Sequence, residues 1–165
     1  MKDCIALIGM PGAGKSTVGV LLAKQLGMDF LDTDIAIQNR EGKTLQQILD
    51  QSSYLHLRQI EEQVLLETAP NSTVIATGGS AVYSKDGMAH LAKFSRIVYL
   101  QSSLSTLQER INNHQTRGIA KRPEQSFEQL FEERTALYQQ YADITVSCDK
   151  TGPEQLVENI IAALN

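Results

Sequence analysis

Apolar and polar positions alternate along this chain in two distinct patterns, and together they predict a fold. Short apolar runs rich in β-branched residues are separated by segments of helix length, in which apolar residues recur at helical spacing. The runs read CIALIG (4–9), DFLDTD (29–34), STVIATGG (72–79), SRIVYL (95–100) and DITVSC (143–148). This alternation predicts an α/β fold of three layers (α-β-α), in which helices cover both faces of a parallel sheet.

Three helix starts carry recognisable boundary signals. Thr44 with Gln47, and Ser105 with Gln108, have the spacing of capping boxes, in which the first side chain accepts from the backbone of the second residue. Pro153 suits the first turn of the last helix, because a proline there loses no intrahelical hydrogen bond. We therefore expect helices to begin next to these residues.

One long segment, residues 112–125 (NNHQTRGIAKRPEQ), fits neither pattern. It is polar, contains a glycine and a proline, and shows no apolar period. A loop of this length inside a compact domain is usually functional, and this one carries the cations Arg117, Lys121 and Arg122. A mobile lid is one interpretation, since a loop that closes over a reacting phosphate excludes water. An ordinary solvated basic loop is the other.

Length, charge and cysteine content narrow the class of protein. A chain of 165 residues fits a single domain (1–165), and a net charge of −4 argues against nucleic acid or an anionic membrane as the partner. Small molecules or other proteins are the expected partners. Cys4 and Cys148 lie in separate apolar runs, which predicts a reduced, buried pair. With no signal peptide or membrane-length apolar run in the sequence, we expect a cytoplasmic protein, and a monomer because no additional interface is evident.

The most specific motif is a phosphate-binding loop. Residues 9–16, GMPGAGKS, match the pattern G-x-x-x-x-G-K-[ST] and stand between a predicted strand and a predicted helix. Glycines let backbone N–H groups turn towards a phosphate, Lys15 reaches the outer phosphates, and the Ser16 hydroxyl can ligate Mg²⁺. The residues expected to contact the nucleotide here are Gly12, Ala13, Gly14, Lys15, Ser16 and Thr17.

The remaining sequence favours a small-molecule kinase among nucleotide enzymes. There is no N-K-x-D motif of the kind that common GTPases use to read guanine, and the chain is too short for a motor ATPase. Asp32 and Asp34 follow the apolar end of the second strand, where open α/β sheets place their chemistry. One carboxylate can help to hold Mg²⁺ and the other can accept a proton from an acceptor hydroxyl. The alternative is that Asp34 merely caps a helix.

Two helix arginines are further candidates. Arg58 lies beside the apolar stripe of its helix, and Arg134 is placed similarly in FEERTALYQQYAD. An isolated arginine in such a position is more typical of a solvated surface than of a binding site.

Six motifs in order connect these separate signals. With GMPGAGKST, FLDTD, LRQIEE, ATGG, KRP and ERTALYQQYAD in register, nearly the whole chain resembles the shikimate kinase family. The resemblance implies a nucleoside-monophosphate-kinase-like fold with five parallel strands in the order 2-3-1-4-5. It also implies a mobile lid at about 112–125 and an acceptor-binding region at about 33–61. The implied reaction is ATP-dependent phosphorylation of the 3-hydroxyl of shikimate, in aromatic amino-acid biosynthesis, with Mg²⁺ as cofactor and ATP as co-substrate.

The resemblance also assigns roles to individual residues. It makes Asp34 the catalytic base, places Asp32 with Ser16 at the metal, and adds Lys15 and Arg122 to the catalytic set. The substrate-binding residues that it implies are Asp34, Arg58, Gly78, Gly79 and Arg134. The residues that it adds to the ATP site are Arg110, Arg122 and Pro153.

The chain departs from the usual family pattern in three places: Ser80 ends the glycine triplet, Leu57 replaces the usual aromatic residue before Arg58, and Glu124-Gln125 replaces leucines after the arginine-proline of the lid. Ser80 replaces a glycine, so that either it adopts an ordinary backbone conformation or the local turn and the acceptor pocket differ. Two alternatives to shikimate phosphorylation follow. One is a related kinase with a different hydroxylated anionic acceptor, and the other is a nucleotide-binding regulatory module without turnover.

Overall fold

A five-stranded parallel sheet forms the centre of the molecule, in a computed structural model that describes residues 2–113 and 118–165. The strands are β1 (Cys4–Ile8), β2 (Asp29–Asp32), β3 (Thr73–Ala76), β4 (Ser95–Gln101) and β5 (Ile144–Ser147). Their order is β2-β3-β1-β4-β5 and every pairing is parallel. The predicted fold class and strand order are therefore confirmed.

Eight α-helices connect and cover these strands in the part of the chain that the structure describes. They are α1 (Lys15–Leu26), α2 (Thr33–Glu41), α3 (Leu45–Gln51), α4 (Tyr54–Glu67), α5 (Lys85–Phe94), α6 (Leu104–Asn113), α7 (Phe127–Tyr141) and α8 (Pro153–Leu164). All five residues of β1 are buried. Because successive strand side chains point to opposite faces, this burial requires cover on both sides of the sheet.

A second, smaller core lies beside the main one and organises the predicted acceptor-binding region. It is built from one helix residue of α2, one of α3 and three of α4, together with Ala120 from the segment before α7. The six buried residues are Ile37, Ile48, Leu57, Ile60, Val64 and Ala120. Helices α2, α3 and α4 thus share an apolar interior of their own, against which the later segment docks.

The helix boundaries agree with two of the three sequence signals. Thr44 and Gln47 form a complete capping box, and Pro153 opens α8. The predicted box of Ser105 and Gln108 is wrong, because α6 already begins at Leu104. The cap is instead the hydroxyl of Ser103, which accepts from the backbone N–H of Thr106 at 3.3 Å.

The polar segment 112–125 begins inside a helix, since α6 extends to Asn113. At Gly118 the backbone N–H donates to Gln46 Oε1 of α3 at 3.1 Å, and a Cβ there would meet Leu45 Cβ at 2.6 Å. Arg117, one of its three predicted cations, lies outside the described residues. The described end of the predicted lid is therefore packed on α3.

Two further expectations bear on the class of protein. Cys4 and Cys148 are both buried and form no disulfide, which confirms the prediction of two reduced, buried cysteines. None of the helices among residues 2–113 and 118–165 is long and apolar enough to cross a membrane.

Candidate active site

A cleft of about 480 Å³ opens at the carboxyl end of β1 and β3, between the loop of residues 9–16 and helices α2, α4 and α7. Two glycines of this loop have positive φ angles, +84° at Gly12 and +92° at Gly14. The conformation is easy for glycine and costly for other residues, and it lets the loop wrap around a bound group. Because α1 begins at Lys15, its N-terminal N–H groups and its dipole face this loop and favour an anion there.

Lys15 is buried, with 8% of its surface exposed. Its Nζ donates to the carbonyls of Gly9 at 2.7 Å and Met10 at 2.9 Å, so its ammonium lies across the mouth of the loop. Burial, opposed chiefly by the nearby Asp34 carboxylate, lowers the pKa of Lys15 from 10.5 to about 8. A buried cation in this place is suited to bind the terminal phosphates of a nucleotide.

Asp32 connects the loop to the start of α2. Its Oδ1 accepts from the backbone N–H groups of Asp34 at 2.9 Å and Ile35 at 3.3 Å, so Asp32 is the N-cap of the helix. The alternative that Asp34 is only a helix cap is therefore wrong. The other oxygen of Asp32 accepts from the Ser16 hydroxyl at 2.5 Å, which places a hydroxyl and a carboxylate together at the phosphate loop.

Asp34 lines the cleft and is half-buried. Burial, and next the charge of Asp32, raise the pKa of Asp34 from 3.8 to about 6, although Lys15 opposes the change. A carboxylate whose pKa approaches neutrality is well matched to accept a proton from a substrate hydroxyl. The hydroxyl of the adjacent Thr33 accepts from the backbone N–H of Gly78 at 3.0 Å. This hydrogen bond connects the start of α2 to the loop after β3.

A second buried carboxyl, Glu61, lies next to Asp34. It is 4% exposed, and its two oxygens accept from the Ser80 hydroxyl at 3.0 and 3.1 Å. Burial and the neighbouring Asp34 raise the pKa of Glu61 from 4.5 to about 7. Ser80 itself has φ −93° and ψ 1°, so it adopts an ordinary conformation and adds a hydrogen-bond donor to the cleft.

The two glycines before Ser80 are required by close packing. A Cβ on Gly78 would lie 2.5 Å from Glu61 Oε2 and 2.7 Å from Asp34 Oδ1. A Cβ on Gly79 would lie 2.8 Å from Arg134 Nη1 and equally close to the ring of Pro11. Neither glycine has a positive φ, so their role is to let the acidic and basic side chains of the site approach the backbone.

Arg134 and Arg58 converge on the same backbone oxygen. Arg134 Nη2 donates to the Ala120 carbonyl at 2.8 Å, and Arg58 Nη2 donates to it at 3.2 Å. Arg134 is 1% exposed, so the interpretation of this residue as a solvated surface arginine is wrong; Arg58 is half-buried. Among the described residues, neither guanidinium has a carboxylate within ion-pair distance, and both Nε atoms are buried without a partner.

The other nucleotide-site predictions have mixed placements. Arg110 lines the cleft and donates through Nη1 to the Gly12 carbonyl at 2.9 Å, so it contacts the phosphate loop. Ala13 is buried within the loop. Pro153 is exposed at the start of α8 and is not part of the cleft lining.

Arg122 lies outside the cleft in this structure. Its side chain is half exposed, and Nη2 contacts Glu133 Oε2 of α7 at 3.4 Å. The lid residue predicted to approach the phosphates is thus at the surface in contact with α7, and it is not part of the cleft lining that includes Lys15.

Helical spacing could have identified Glu61 from the sequence. It stands four residues after Leu57 and three before Val64, which are both buried, so it shares their face of α4. A carboxylate on a buried stripe signals a functional or paired group. The contribution of the Ala120 carbonyl had no comparable local signal, because Ala120 lies in the segment between α6 and α7.

A doubly wound parallel sheet, a phosphate loop and a buried carboxylate across the cleft define an ATP-dependent kinase that acts on small molecules. Residues 11–165 match the family model described as shikimate kinase. The chain belongs to the shikimate kinase family.

Individual relatives agree with this assignment over almost the whole chain. A shikimate kinase of Sulfurihydrogenibium sp. is 36% identical over 99% of this chain and 98% of that relative. The structure of shikimate kinase from Acinetobacter baumannii in complex with shikimate is 31% identical with a TM-score of 0.87, and the match covers 98% of this chain and 92% of the other. The structure from Aquifex aeolicus is 32% identical with a TM-score of 0.80, covering 98% and 95%.

Proposed function

We propose that this protein transfers the γ-phosphoryl group of ATP to the 3-hydroxyl of shikimate. Membership of the family supports the reaction. The pair of arginines beside the cleft is the observation that supports a carboxylate-bearing acceptor. Arg134 is buried and Arg58 half-buried, yet both lack a carboxylate partner among the described residues and instead donate to the Ala120 carbonyl. Two partly desolvated cations that converge on one oxygen are suited to bind a carboxylate through bidentate hydrogen bonds.

The proposed role of Asp34 follows from its environment. At neutral pH its carboxyl is mostly ionised, because its pKa is raised only to about 6. It accepts the proton of the 3-hydroxyl as that oxygen forms its bond to the γ-phosphorus and the bond to the β-phosphate oxygen of ADP breaks. With the acceptor carboxylate held by Arg58 and Arg134, the hydroxyl is oriented towards this base.

The nucleotide is bound by the phosphate loop in this proposal. Gly12, Ala13, Gly14 and Thr17 offer backbone and hydroxyl donors, and Lys15 compensates the charge that develops on the transferring group. Arg110 extends the site beside Gly12 towards the nucleoside, where the resemblance also placed Pro153. Arg122 binds the phosphates after its contact with Glu133 is broken. That ion pair is exposed to solvent and therefore weak.

The residues present fit a magnesium ion next to the nucleotide. The Ser16 hydroxyl and the Asp32 carboxylate are in contact, and oxygen donors of this kind are those that Mg²⁺ takes. Within residues 2–113 and 118–165 there is no cluster of three His, Cys, Asp or Glu side chains that could hold a metal ion by itself. In P-loop enzymes Mg²⁺ keeps water and phosphate ligands and neutralises charge on the phosphates, so Ser16 and Asp32 are sufficient protein partners.

Release of ADP tests the proposal directly. Purified protein with ATP and Mg²⁺ is expected to release ADP at a rate that rises and saturates with shikimate. A rate equal to that with ATP alone would refute shikimate as acceptor. Other hydroxylated anions are assayed in parallel, and faster ADP release with one of them would indicate a kinase with a different acceptor. ATP binding in calorimetry without turnover on any acceptor would indicate a nucleotide-binding module. The cytoplasmic location and the monomeric state remain predictions from the sequence.

A further inference from the structure

An aromatic ring lies directly against the Arg58 guanidinium. The guanidinium carbon is 3.6 Å from the ring centroid of Tyr83 and 5.0 Å from that of Tyr54. Arg134 is more distant from the Tyr83 ring, at 5.4 Å. The closest aromatic neighbour of Arg58 is therefore Tyr83, in the turn that follows Gly78 and Gly79. The residue directly before Arg58 in α4 is Leu57, which is not aromatic.

Tyr83 is held in place from both ends. Its backbone closes the short 3-10 turn Ala81–Tyr83, in which its N–H donates to the Ser80 carbonyl at 3.1 Å. Its phenol hydroxyl donates to Glu133 Oε1 of α7 at 2.5 Å. With both the backbone and the hydroxyl engaged, the ring presents a fixed surface to the guanidinium.

The face of the Tyr83 ring stabilises the charge of Arg58 without using its N–H donors. Burial lowers the pKa of this arginine, and none of the ion pairs within the described residues includes it. A carboxylate partner would stabilise the cation, but it would also occupy the N–H donors that an acceptor needs. A ring stabilises the cation through its face, and the donors at the edge of the guanidinium stay available for a carboxylate.

We propose that Tyr83 is a positioning residue that orients Arg58 for the carboxylate of the acceptor. The inference rests on the proposed function for the identity of that acceptor. Tyr54 contributes less, because its ring is farther from the guanidinium. We expect Tyr83 to act on binding, because its contact is with Arg58, which the proposed function places at the carboxylate of the acceptor.

Two substitutions separate the ring from the hydroxyl. We expect Tyr83→Leu to raise the KM for shikimate by roughly 2- to 30-fold, the range of a cation–π contact, with kcat within about twofold of wild type. Tyr83→Phe retains the ring and loses the Glu133 hydrogen bond, so its KM should stay within about twofold of wild type and below that of Tyr83→Leu. Equal KM values for the two variants would overturn the proposal. Tyr141→Leu, at the far end of α7, is the matched control for loss of a tyrosine.

A double-mutant cycle with Arg58→Ala distinguishes positioning from a general structural role. If Tyr83 acts through Arg58, Tyr83→Leu should change KM by less than about twofold in the Arg58→Ala background. A full-sized, additive effect in that background would refute the mechanism. Thermal unfolding of each variant shows whether the fold is retained.

The two proposals fail in different ways. If the wild-type protein has no shikimate-dependent turnover, the proposed acceptor is wrong. The contact is then tested by reaction with phenylglyoxal, which modifies accessible guanidinium groups, followed by mass spectrometry of the Arg58 peptide. We expect faster modification in Tyr83→Leu than in Tyr83→Phe, and equal rates would contradict the proposed contact.

Discussion

Glu61 offers a quantitative test of the electrostatics of the cleft. It is buried without a cation at ion-pair distance among the described residues, and its hydrogen-bond partner is the Ser80 hydroxyl. Burial, together with the neighbouring Asp34, raises its pKa from 4.5 to about 7. The substitution Glu61→Gln keeps the shape and an acceptor oxygen for Ser80, and it removes the charge.

The magnitude follows from the change in pKa. Because the folded protein binds this proton more tightly than the unfolded chain, its stability falls as the pH rises from about 4.5 to about 7 and then stays level. The full change corresponds to about 3 kcal/mol of unfolding free energy. At pH 5 the folded protein keeps the proton on Glu61, and only about 1 kcal/mol of this loss of unfolding free energy is present.

Urea unfolding of both proteins at several pH values measures this cost. The stability advantage of Glu61→Gln over wild type should grow by roughly 2 kcal/mol between pH 5 and pH 9. The exposed Glu132→Gln on α7 is the matched control, for which we expect no comparable growth. An advantage of Glu61→Gln that is independent of pH would refute the assignment of a raised pKa to this carboxyl.

Three further predictions concern catalysis. Asp34→Asn should lower kcat by ~10²- to 10⁴-fold and leave the affinity for ATP nearly unchanged in calorimetry, and a near-normal kcat would contradict its role as base. In wild type, kcat/KM should fall as the pH drops through about 6, because protonated Asp34 cannot accept a proton, whereas a flat pH profile would exclude Asp34 as the titrating base. Gly79→Ala places a Cβ 2.8 Å from both Arg134 Nη1 and the Pro11 ring of the phosphate loop, so it should raise the KM for shikimate and that for ATP; an unchanged KM for shikimate would contradict the role of Arg134 in binding the acceptor.

The elements and the phosphate loop could be predicted because their signals are local. Each strand is a short apolar run, and Thr44 caps α3 through a residue only three positions away. The loop motif specifies its own conformation, in which Gly12 and Gly14 take the positive φ angles that other residues disfavour. The strand order came from six motifs in register, since local patterns do not determine which strands are neighbours.

The side-chain contacts of the cleft could not be predicted because they join distant parts of the chain. The hydrogen bond between Ser80 and Glu61 spans 19 residues, and that between Arg58 and Ala120 spans 62. Arg134 stands four residues after Leu130 and four before Tyr138, which are both buried, so helical spacing could have placed it on the buried face of α7, but not beside the Ala120 carbonyl. Helical spacing can show that a polar residue lies on the buried face of its helix, but the groups that it contacts there belong to other elements.

The three departures from the family pattern can now be compared by what each one contacts. Ser80 keeps an ordinary backbone and donates its hydroxyl to Glu61, so it acts on a buried carboxyl and leaves the turn intact. Leu57 is 2% exposed and belongs to the apolar lining of the cleft and to the smaller core of α2, α3 and α4. Glu124 is exposed and outside the cleft lining.

None of these three departures removes a group that the proposed reaction needs. Asp34 keeps its place in the cleft, and Arg58 and Arg134 keep donors directed at a single oxygen. A kinase for a different acceptor would need a changed set of donors, because recognition of a charged acceptor depends on them. The departures therefore alter the packing and the electrostatics around a conventional acceptor site, and Ser80 does so through Glu61, where the pH dependence of stability makes its effect measurable.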